Sequence, residues 1–365
     1  MSSRFTRRSW LAGTAALPAA EAFQPLRLPR KVRLALIGLD GHTGEILGPL
    51  KDLPDVELTA VADPNPRARA GVLRNPRATG AREYGDYRQM LEREPLDVVG
   101  ICGSNGDRAD QIVACAERKL HVAAEKPLAV DRAGFERVKQ AVKRNGIRLT
   151  MLLPMRFWPA YAAIRQIVQA GEIGEVAQIS GQKSYKVGER PQWMRRHATF
   201  GGTIPFIGIH MVDLMRFTSG RELVEAVSFQ NRIGFPELGD MENTTGTLFR
   251  LDNGGVAVLR MDYLRPETAP THGDDRIRLA GTRGIVEYQE STGVTLVTRS
   301  RKPRVVAELP PPGSLFTDFL KSVYLGEKPS LTLFDIYQAN QVVLAARESA
   351  ERHEIVPVRR DPDAG

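Results

Sequence analysis

Cysteine and long apolar runs are both scarce in this chain of 365 residues. The two cysteines, Cys102 and Cys115, are too few for a disulfide framework and have no partners at the spacing of zinc ligands. We expect both to be small core residues, and we expect no metal site. Beyond the first 22 residues, no apolar stretch approaches the roughly 20 residues that a membrane-spanning helix needs. The composition therefore predicts a mature protein that is soluble.

A basic stripe interleaved with aromatic residues is also missing, although the formal net charge is +8. The first 30 residues hold five arginines and one acid, Glu21, and so supply half of that charge. The remaining charge is spread along the chain, so the sequence predicts no nucleic-acid partner.

The first 30 residues have the order of an export leader followed by a linker. Arg7 and Arg8 precede a short apolar run at 10–17, and small residues allow cleavage after Ala22. Paired arginines are typical of the bacterial route that exports folded proteins. A frayed basic terminus with chance pairing of the arginines is the alternative. We expect a twin-arginine signal peptide and linker at residues 1–30, and a periplasmic or other extracytoplasmic product.

Residues 31–150 alternate short apolar strands with helix-like stretches. This alternation predicts a parallel sheet with helices on both faces, as in an α/β dinucleotide-binding domain of the Rossmann type. The predicted strands are Val32–Ile37, Val56–Ala62, Val98–Ile101, His121–Ala124 and 148–152, and the clearest predicted helices are 108–118 and 132–144.

Residues 151–365 show a different pattern, in which apolar and polar residues alternate with period two in several successive runs. Such runs predict an α+β domain with a large, open, mostly antiparallel sheet. The predicted strands are 176–183, 224–231, Thr244–Leu251, 256–263, 275–280 and 293–299, and the predicted helices are 160–169, Leu315–Tyr324 and Leu333–Arg352.

A glycine-rich turn follows the first predicted strand and opens a helix. Glycine in such a turn lets the backbone approach a pyrophosphate, which then sits against free N–H groups. The spacing is G-x-x-G-x-x-G, so Asp40 and Thr43 stand where the G-x-G-x-x-G fingerprint has glycine. The candidate cofactor contacts in this turn are Gly38, Asp40, Gly41, His42, Thr43 and Gly44.

An acid ends the second predicted strand. Asp63 lies where a carboxylate would accept hydrogen bonds from the adenosine ribose, and its charge would repel a 2′-phosphate. NAD is therefore the expected cofactor. Arg67 and Arg69 keep NADP open, and an ordinary turn at residues 63–66 is the alternative to a nucleotide site.

Three further motifs follow in a characteristic order. Asn105 ends the strand at Val98–Ile101, Glu125-Lys126-Pro127 follows the strand at His121–Ala124, and Gly201-Gly202 leads to His210 and Asp213. This ordering resembles the Gfo/Idh/MocA oxidoreductases, which include glucose–fructose oxidoreductase and inositol dehydrogenase. The resemblance covers essentially the whole chain after the linker, and the Glu-Lys-Pro motif beside a dinucleotide fold is its most specific part.

The resemblance implies roles for particular residues. Lys126 would lie near the nicotinamide, bind substrate and handle a proton, with Glu125 orienting it or the cofactor, and Asn105 would contact the cofactor. His210 would be the acid or base on the substrate hydroxyl, because histidine titrates near the operating pH. Asp213, three residues on, would lie on the same helical face and hold the ring. The alternatives to these catalytic roles are that Lys126 only caps an edge turn and that His210 is only structural.

Two positions depart from the family pattern. Phe206 stands where polyol and sugar dehydrogenases of the group carry an aspartate, and Arg108 replaces a histidine common after the asparagine. A phenyl ring cannot polarise a hydroxyl, so Lys126 and His210 would work alone. Further candidates for the substrate pocket are Arg156, Tyr185, Trp193, Arg195, Arg196 and His197, with a surface loop anchored by Trp193 as the alternative.

Three functions follow from this pattern. The first is an NAD(P)-dependent oxidoreductase acting on CH–OH groups of a sugar, polyol or sugar-derived substrate. The second is a glycoside hydrolase or lyase that oxidises its substrate transiently and retains NAD. The third is a non-catalytic cofactor-binding sensor or pseudoenzyme, for which Phe206 is the main argument. Dimers or tetramers are implied by the family, and membrane association is not expected after signal cleavage.

Overall fold

The computed structural model describes residues 25–361, which form two domains built on separate sheets. The strands of the first domain are β1 (Val32–Ile37), β2 (Val56–Ala62), β3 (Arg82–Tyr84), β4 (Val98–Ile101), β5 (His121–Ala124) and β6 (Leu149–Met151). All neighbouring pairs are parallel, in the order β3-β2-β1-β4-β5-β6. This is the strand order of a Rossmann domain, as the sequence predicts.

Helices cover both faces of this sheet, which is why its strands read as nearly continuous apolar runs. They are α1 (Gly44–Leu47), α2 (Pro66–Leu73), α3 (Tyr87–Arg93), α4 (Asn105–Glu117) and α5 (Arg132–Asn145). Local chemistry sets the ends of α5. Asp131 Oδ1 accepts a hydrogen bond from Gly134 N at 2.7 Å, and Gly146 ends the helix in the left-handed region, with φ of +65°.

The second domain contains a sheet of nine strands among the described residues. They are β7 (Val176–Tyr185), β8 (Leu223–Asn231), β9 (Thr244–Leu251), β10 (Val256–Asp262), β11 (Gly273–Gly281), β12 (Gly284–Gln289), β13 (Gly293–Thr298), β14 (Arg301–Val305) and β15 (Val356–Pro357). Their order is β14-β13-β12-β11-β7-β10-β9-β8-β15, with β7 and β10 as the parallel pair in an otherwise antiparallel sheet. The predicted large, mostly antiparallel sheet is confirmed.

Five helices lie in the same part of the described chain as this sheet. They are α6 (Pro159–Gln169), α7 (His197–Phe200), α8 (Ile209–Ser219), α9 (Leu315–Tyr324) and α10 (Leu333–Arg352), with a π-helical turn at Ile204–Gly208 directly before α8. A Cβ at Gly181 of β7 would lie 2.6 Å from Met211 Cγ of α8. Glycine there lets α8 lie directly against the sheet, which brings His210 to the domain junction.

The sequence identifies most of these elements but misses some short or edge strands. Strands β1, β2, β4, β5 and β9 and helices α9 and α10 have the predicted bounds, and β6 is one residue shorter at each end. Strands β3, β12, β14 and β15 are missed. All five residues of β14 are exposed, and only Val286 of β12 is buried, so neither strand carries a clear alternation.

Three expectations concern the termini, the cysteines and the membrane. The predicted leader falls on residues 1–24 and lies outside the described chain, whereas Leu28 of the predicted linker is buried against the first domain. Cys102 and Cys115 are free and buried, which confirms them as core residues. The segment His197–Ser219 has the length and hydropathy of a membrane span, which the sequence analysis did not single out. However, 83% of its most apolar window is buried inside the protein, as in a core helix.

Candidate active site

The glycine turn between β1 and α1 is shaped by close packing on one side and open space on the other. Gly38 has φ of +69°, and a Cβ at Gly41 would lie 2.8 Å from Cys102 O. A Cβ at Gly44 would meet no protein atom within 4 Å. The first two glycines thus let the turn pack against the end of β4, and the third leaves room for a ligand to approach the backbone. This arrangement fits the pyrophosphate of a dinucleotide.

Asp63 closes the other side of this turn. It is 6% exposed, and its carboxylate accepts hydrogen bonds from Leu39 N at 2.8 Å and Asn65 N at 2.7 Å. Arg69 lies next to this acid, since its Nη1 donates to the Asp63 backbone oxygen at 2.5 Å while its Nε donates to Glu83 Oε2 at 3.0 Å. No lysine or arginine among the described residues forms a salt bridge with the Asp63 carboxylate, so its charge stays available to ribose hydroxyls. The donor set fits NAD better than NADP.

Glu125 joins the glycine turn to the Glu-Lys-Pro motif. The Glu125 side chain is buried, and its Oε1 accepts from His42 N at 2.7 Å and also contacts His42 Nδ1. Its Oε2 accepts from Lys126 N at 3.0 Å. Burial opposes ionisation here, but the hydrogen bond and charge of His42, with Lys126 and Arg108, hold the pKa of Glu125 at about 2. Glu125 therefore fixes the position of the turn relative to the backbone of Lys126.

Lys126 lies at the junction of the two domains. It is 3% exposed, follows the strand β5 and precedes a cis peptide bond to Pro127. Its Nζ donates to Phe206 O at 2.8 Å and lies 3.6 Å from the centroid of the Phe206 ring. Burial lowers the pKa of Lys126 to about 7, opposed by Glu125 and assisted by Arg108, Lys183 and Arg190. The amine can therefore gain or lose a proton near neutral pH.

His210 presents a neutral ring beside this amine. Its Nδ1 is buried and has no hydrogen-bond partner in the protein, and its ring centroid lies 6.1 Å from that of His42, edge to face. Burial and the charges of Lys126, Lys183 and His42 hold the pKa of His210 well below its ordinary value. The imidazole is therefore uncharged at neutral pH and retains a nitrogen that can bind a substrate hydroxyl.

Asp213 and Arg156 do not have the predicted roles. Arg156 Nη2 donates to Asp213 Oδ1 at 2.6 Å, and Arg156 Nη1 lies 3.2 Å from Asp335 Oδ2. Both the Arg156 and Asp213 side chains are buried in this network. The expectation that Asp213 holds the His210 ring is wrong because the buried arginine takes its carboxylate. The expectation that Arg156 and Asp213 bind substrate is wrong for the same reason.

Asn105 and Arg108 support the site from the first domain. Asn105 Nδ2 donates to Phe200 O at 2.8 Å, and its Oδ1 accepts from Arg108 Nη1 at 3.0 Å, so both ends of the amide are used within the protein. Arg108 also donates to Pro127 O at 2.7 Å. Contrary to the predicted cofactor contact, Asn105 ties α4 to the segment before Gly201. Arg108 holds the turn that carries Lys126.

An aromatic cluster covers Lys126 from the second domain. The ring of Phe206 lies 6.1 Å from the Trp193 ring and 5.2 Å from the Phe200 ring, between centroids. Trp193 lies against the side chain of Asp40, whose pKa burial and Asp63 raise and a hydrogen bond from Trp193 lowers. The predicted substrate contact of Trp193 stays a prediction. His197 instead binds Glu242 Oε1 at 2.6 Å, which places it in support of the Gly201 segment.

A second group of polar side chains lies on the inner face of the second sheet; sequence reasoning named its Tyr185 as a pocket candidate but missed Lys183 and Asp275. Lys183 is fully buried, and its Nζ donates to Asp275 Oδ2 at 2.6 Å. Tyr185 Oη lies 3.3 Å from the same oxygen. Lys183 occupies an inward position of β7, in phase with the buried Ile179 and Gly181. A lysine in the apolar phase of a strand was the signal that could have revealed it.

The site contains no candidate metal centre, since no group of three or more His, Cys, Asp or Glu side chains with metal-ligand geometry occurs in residues 25–361. The arrangement is a nucleotide turn, a buried amine with lowered pKa and a neutral imidazole, all at one domain junction. It can hold a dinucleotide and move a proton next to it.

Known proteins match both domains. Residues 32–152 match the family model described as "Oxidoreductase family, NAD-binding Rossmann fold", and residues 161–287 match the "GFO/IDH/MocA C-terminal domain". A solved structure from Thermotoga maritima is 31% identical, with a TM-score of 0.84, and the match covers 90% of this chain and 100% of that one.

Curated relatives agree with these matches. The myo-inositol 2-dehydrogenase of Thermotoga maritima is 27% identical over 344 residues, 89% of this chain and 98% of that enzyme. The uncharacterized oxidoreductase YrbE of Bacillus subtilis is 26% identical over 277 residues, 74% of this chain and 77% of that protein. The similarity therefore spans both domains and not the nucleotide-binding half alone.

Proposed function

Because the chain belongs to the Gfo/Idh/MocA family of NAD-binding oxidoreductases, whose members act on CH–OH groups, we propose that it is an exported dehydrogenase of a sugar, polyol or sugar-derived substrate. The observation that carries the proposal is Lys126, a buried amine with its pKa lowered to about 7, placed beside the neutral ring of His210. An ordinary surface lysine would have neither feature.

The chemistry divides between cofactor and protein. NAD bound at the glycine turn supplies the acceptor or donor of the hydride. The protein handles the proton that the alcohol loses on oxidation or gains on reduction. Uncharged Lys126 accepts that proton from the substrate hydroxyl, and its pKa near the operating pH makes the transfer reversible. The pKa of His210 lies too far below its ordinary value for the predicted acid or base role, so its neutral ring binds the hydroxyl instead. Trp193 and Phe206 keep water away from the amine.

A sugar-like substrate is supported by the relatives and by the aromatic cluster. The myo-inositol 2-dehydrogenase relative acts, by its name, on a ring polyol, and it aligns along nearly the whole of this chain. Trp193 offers an aromatic ring beside Phe206 and next to the polar side chain of Asp40, a combination that suits a sugar face and its hydroxyls. Phe206 replaces a polar group at this position, which favours a substrate held differently from ordinary polyols.

Replacing Lys126 by methionine tests the assignment, because methionine keeps the length and apolar stem but carries no proton. We expect Lys126→Met to lower kcat for NAD reduction by about 10²- to 10⁴-fold, the usual contribution of a positioned acid or base, with NAD affinity changed little. Lys186→Met, whose native Nζ donates to Glu267 O at 2.7 Å, is the matched control and should retain activity. Steady-state absorbance of NADH and NAD binding by calorimetry provide the two readouts.

The same variants separate the competing chemistries. If the wild-type protein releases sugar from a glycoside with no net NADH signal and Lys126→Met abolishes that release, the protein is a redox-neutral hydrolase and the dehydrogenase proposal is wrong. If both variants bind NAD normally and no substrate is turned over by the wild type, the sensor interpretation is favoured.

We also propose export and self-association. The paired arginines at residues 7 and 8 support export, and an N-terminus at Phe23 in protein recovered from the periplasm is the expected result. Exposed apolar side chains on the open side of the second sheet, including Leu248, Val256 and Val258, support a dimer or tetramer. A monomeric mass by light scattering would rule out the oligomer.

A further inference from the structure

The inner face of the second sheet changes character where it reaches the active site. Along β10 and β11 the inward positions are apolar, as at Leu259, Met261, Ile277 and Leu279, and all four side chains are buried. At the end nearest the first domain the inward positions become polar or amphipathic. The residues there are Lys183, Tyr185, Tyr263 and Asp275, and Arg190 from the loop after β7 lies over the Tyr263 ring. A polar surface in this position points to a ligand.

Positive charge exceeds negative charge in this group. Lys183 and Arg190 lie close enough to Lys126 that the charge of each helps to lower its pKa. Asp275 neutralises Lys183, and Glu125 is engaged by His42. Arg190 forms no salt bridge with any carboxylate of residues 25–361, and its Nη2 donates to the backbone oxygen of Lys186 at 2.9 Å. One arginine charge therefore faces the site without a counter-ion.

Two donors beside that charge are also unsatisfied. Arg190 Nε and Tyr263 Oη are both buried and have no hydrogen-bond partner in the protein. The two groups are neighbours, since Arg190 Cζ lies 4.6 Å from the centroid of the Tyr263 ring. Burial raises the pKa of Tyr263, so its hydroxyl stays protonated and can donate. Buried polar groups are rarely left unpaired because the loss of hydration is then uncompensated, so a partner is expected for them.

We propose, as an extension of the proposed dehydrogenase function, that the substrate carries a carboxylate and that Arg190 and Tyr263 bind it while Lys126 and His210 act on a neighbouring hydroxyl. The substrate class is a sugar acid, either a uronate or an aldonate. A carboxylate matches the planar guanidinium and accepts a further bond from the tyrosine hydroxyl. Phe206 fits the same assignment, because an aspartate at that position would repel the substrate's negative charge.

A neutral substrate is the competing explanation, in which the cations only stabilise the alkoxide that forms during oxidation. That explanation accounts for Lys126, whose amine is adjacent to the reacting hydroxyl. Hydroxyls of a neutral substrate would also accept from Arg190 Nε and Tyr263 Oη, but they would leave the Arg190 charge without a counter-ion. The two explanations differ in what they predict for substrates that share stereochemistry but differ in charge.

The test compares pairs of ligands that differ by a carboxylate in place of CH₂OH. The pairs are D-glucuronate with D-glucose, D-galacturonate with D-galactose, and D-gluconate with D-glucitol, each titrated by calorimetry into the full chain loaded with NADH. The acid of at least one pair should bind on the order of 10- to 100-fold more tightly than its neutral partner, as expected for a charge-assisted contact. Arg190→Gln should remove that preference, whereas Lys186→Gln, in the same loop, should keep it.

Equal affinities within every pair, or no binding of any acid, would overturn the carboxylate assignment. So would a preference that survives in Arg190→Gln. Because calorimetry measures binding without turnover, the result is independent of the dehydrogenase proposal. An acid that binds through Arg190 but is never oxidised would leave this inference standing and count against the proposed reaction. A neutral polyol oxidised in preference to all acids would support the proposed reaction and count against this inference.

Discussion

The most informative contact at the scale of single residues is that of Lys126 with Phe206. The family resemblance identifies both positions from the sequence, and it also identifies the lost aspartate. It does not reveal that the replacing phenyl ring lies over the ammonium, 3.6 Å from Nζ to the ring centroid. The ring excludes water from the amine and attracts its charged form, and these two effects act on the pKa in opposite directions. Burial is the larger effect, since the pKa of Lys126 is lowered.

Alanine at position 206 should move the pH profile of the enzyme. Oxidation requires uncharged Lys126, so activity of the wild type should rise as pH increases through about 7 and level off above it. Phe206→Ala admits water, which raises the pKa of Lys126 toward its ordinary value and shifts the rise to higher pH. Phe206→Leu keeps an apolar cover and should leave the rise near its original position. Identical profiles of kcat against pH in all three proteins would contradict this account.

At the scale of secondary-structure elements, the sequence predicts what local pattern encodes. The buried strands β1 and β4 are apolar apart from Arg33, and the sequence predicts their bounds to the residue, whereas it misses β14, which is exposed throughout. The Lys183–Asp275 pair joins residues 92 positions apart and depends on the register of β7 against β11. No spacing rule supplies that register. Asp213 was misassigned for a similar reason, because Arg156 comes from a distant segment.

The glycine turn allows packing and cofactor binding to be tested separately. Gly41→Ala should lower both stability and NAD affinity, because the new Cβ would lie 2.8 Å from Cys102 O and 2.9 Å from Glu125 Cγ. Gly44→Ala should leave thermal stability unchanged within about 1 kcal/mol, since its Cβ meets no protein atom, yet weaken NAD at least about tenfold by blocking its approach.

Gly48→Ala is the matched control for this pair of variants. It lies four residues further along in helical conformation, with φ of −58°, and a Cβ there also meets no protein atom within 4 Å. It should change neither thermal unfolding nor NAD affinity. Unaltered NAD binding by Gly44→Ala would show that the cofactor does not approach the turn at that glycine.

At the scale of the whole molecule, a buried ion network joins three distant segments around α8. Arg156 precedes α6, Asp213 lies on α8 and Asp335 begins α10. Arg216 adds a second cation, with its Nη2 3.7 Å from Asp335 Oδ1. Since α8 also carries His210, the network fixes the helix that presents the imidazole. It therefore acts on the fold and on the site together.

Removing the central cation should destabilise the protein strongly. Arg156→Met leaves the Asp213 carboxylate buried without its partner and should lower the free energy of unfolding by about 3–5 kcal/mol. Arg221→Met is the control, because Arg221 pairs with the exposed Glu175 at 2.9 Å and such pairs contribute about 0–1 kcal/mol. Urea unfolding followed by tryptophan fluorescence measures both. The double variant Arg156→Met with Asp213→Leu should recover part of the loss, and no recovery would argue against an electrostatic cause.

The dry surroundings of the reactive amine come from two parts of the chain that fold as different layers. The first domain supplies the lysine, and the second supplies the ring and the carbonyl oxygen that cap it. A gap of one water molecule between them would restore an ordinary, permanently protonated lysine. Catalysis therefore depends on how closely the two domains fit around Lys126. A substitution far from the substrate that loosens their contact would first raise the pKa of Lys126 and move the pH profile to more alkaline values, before any folded protein is lost.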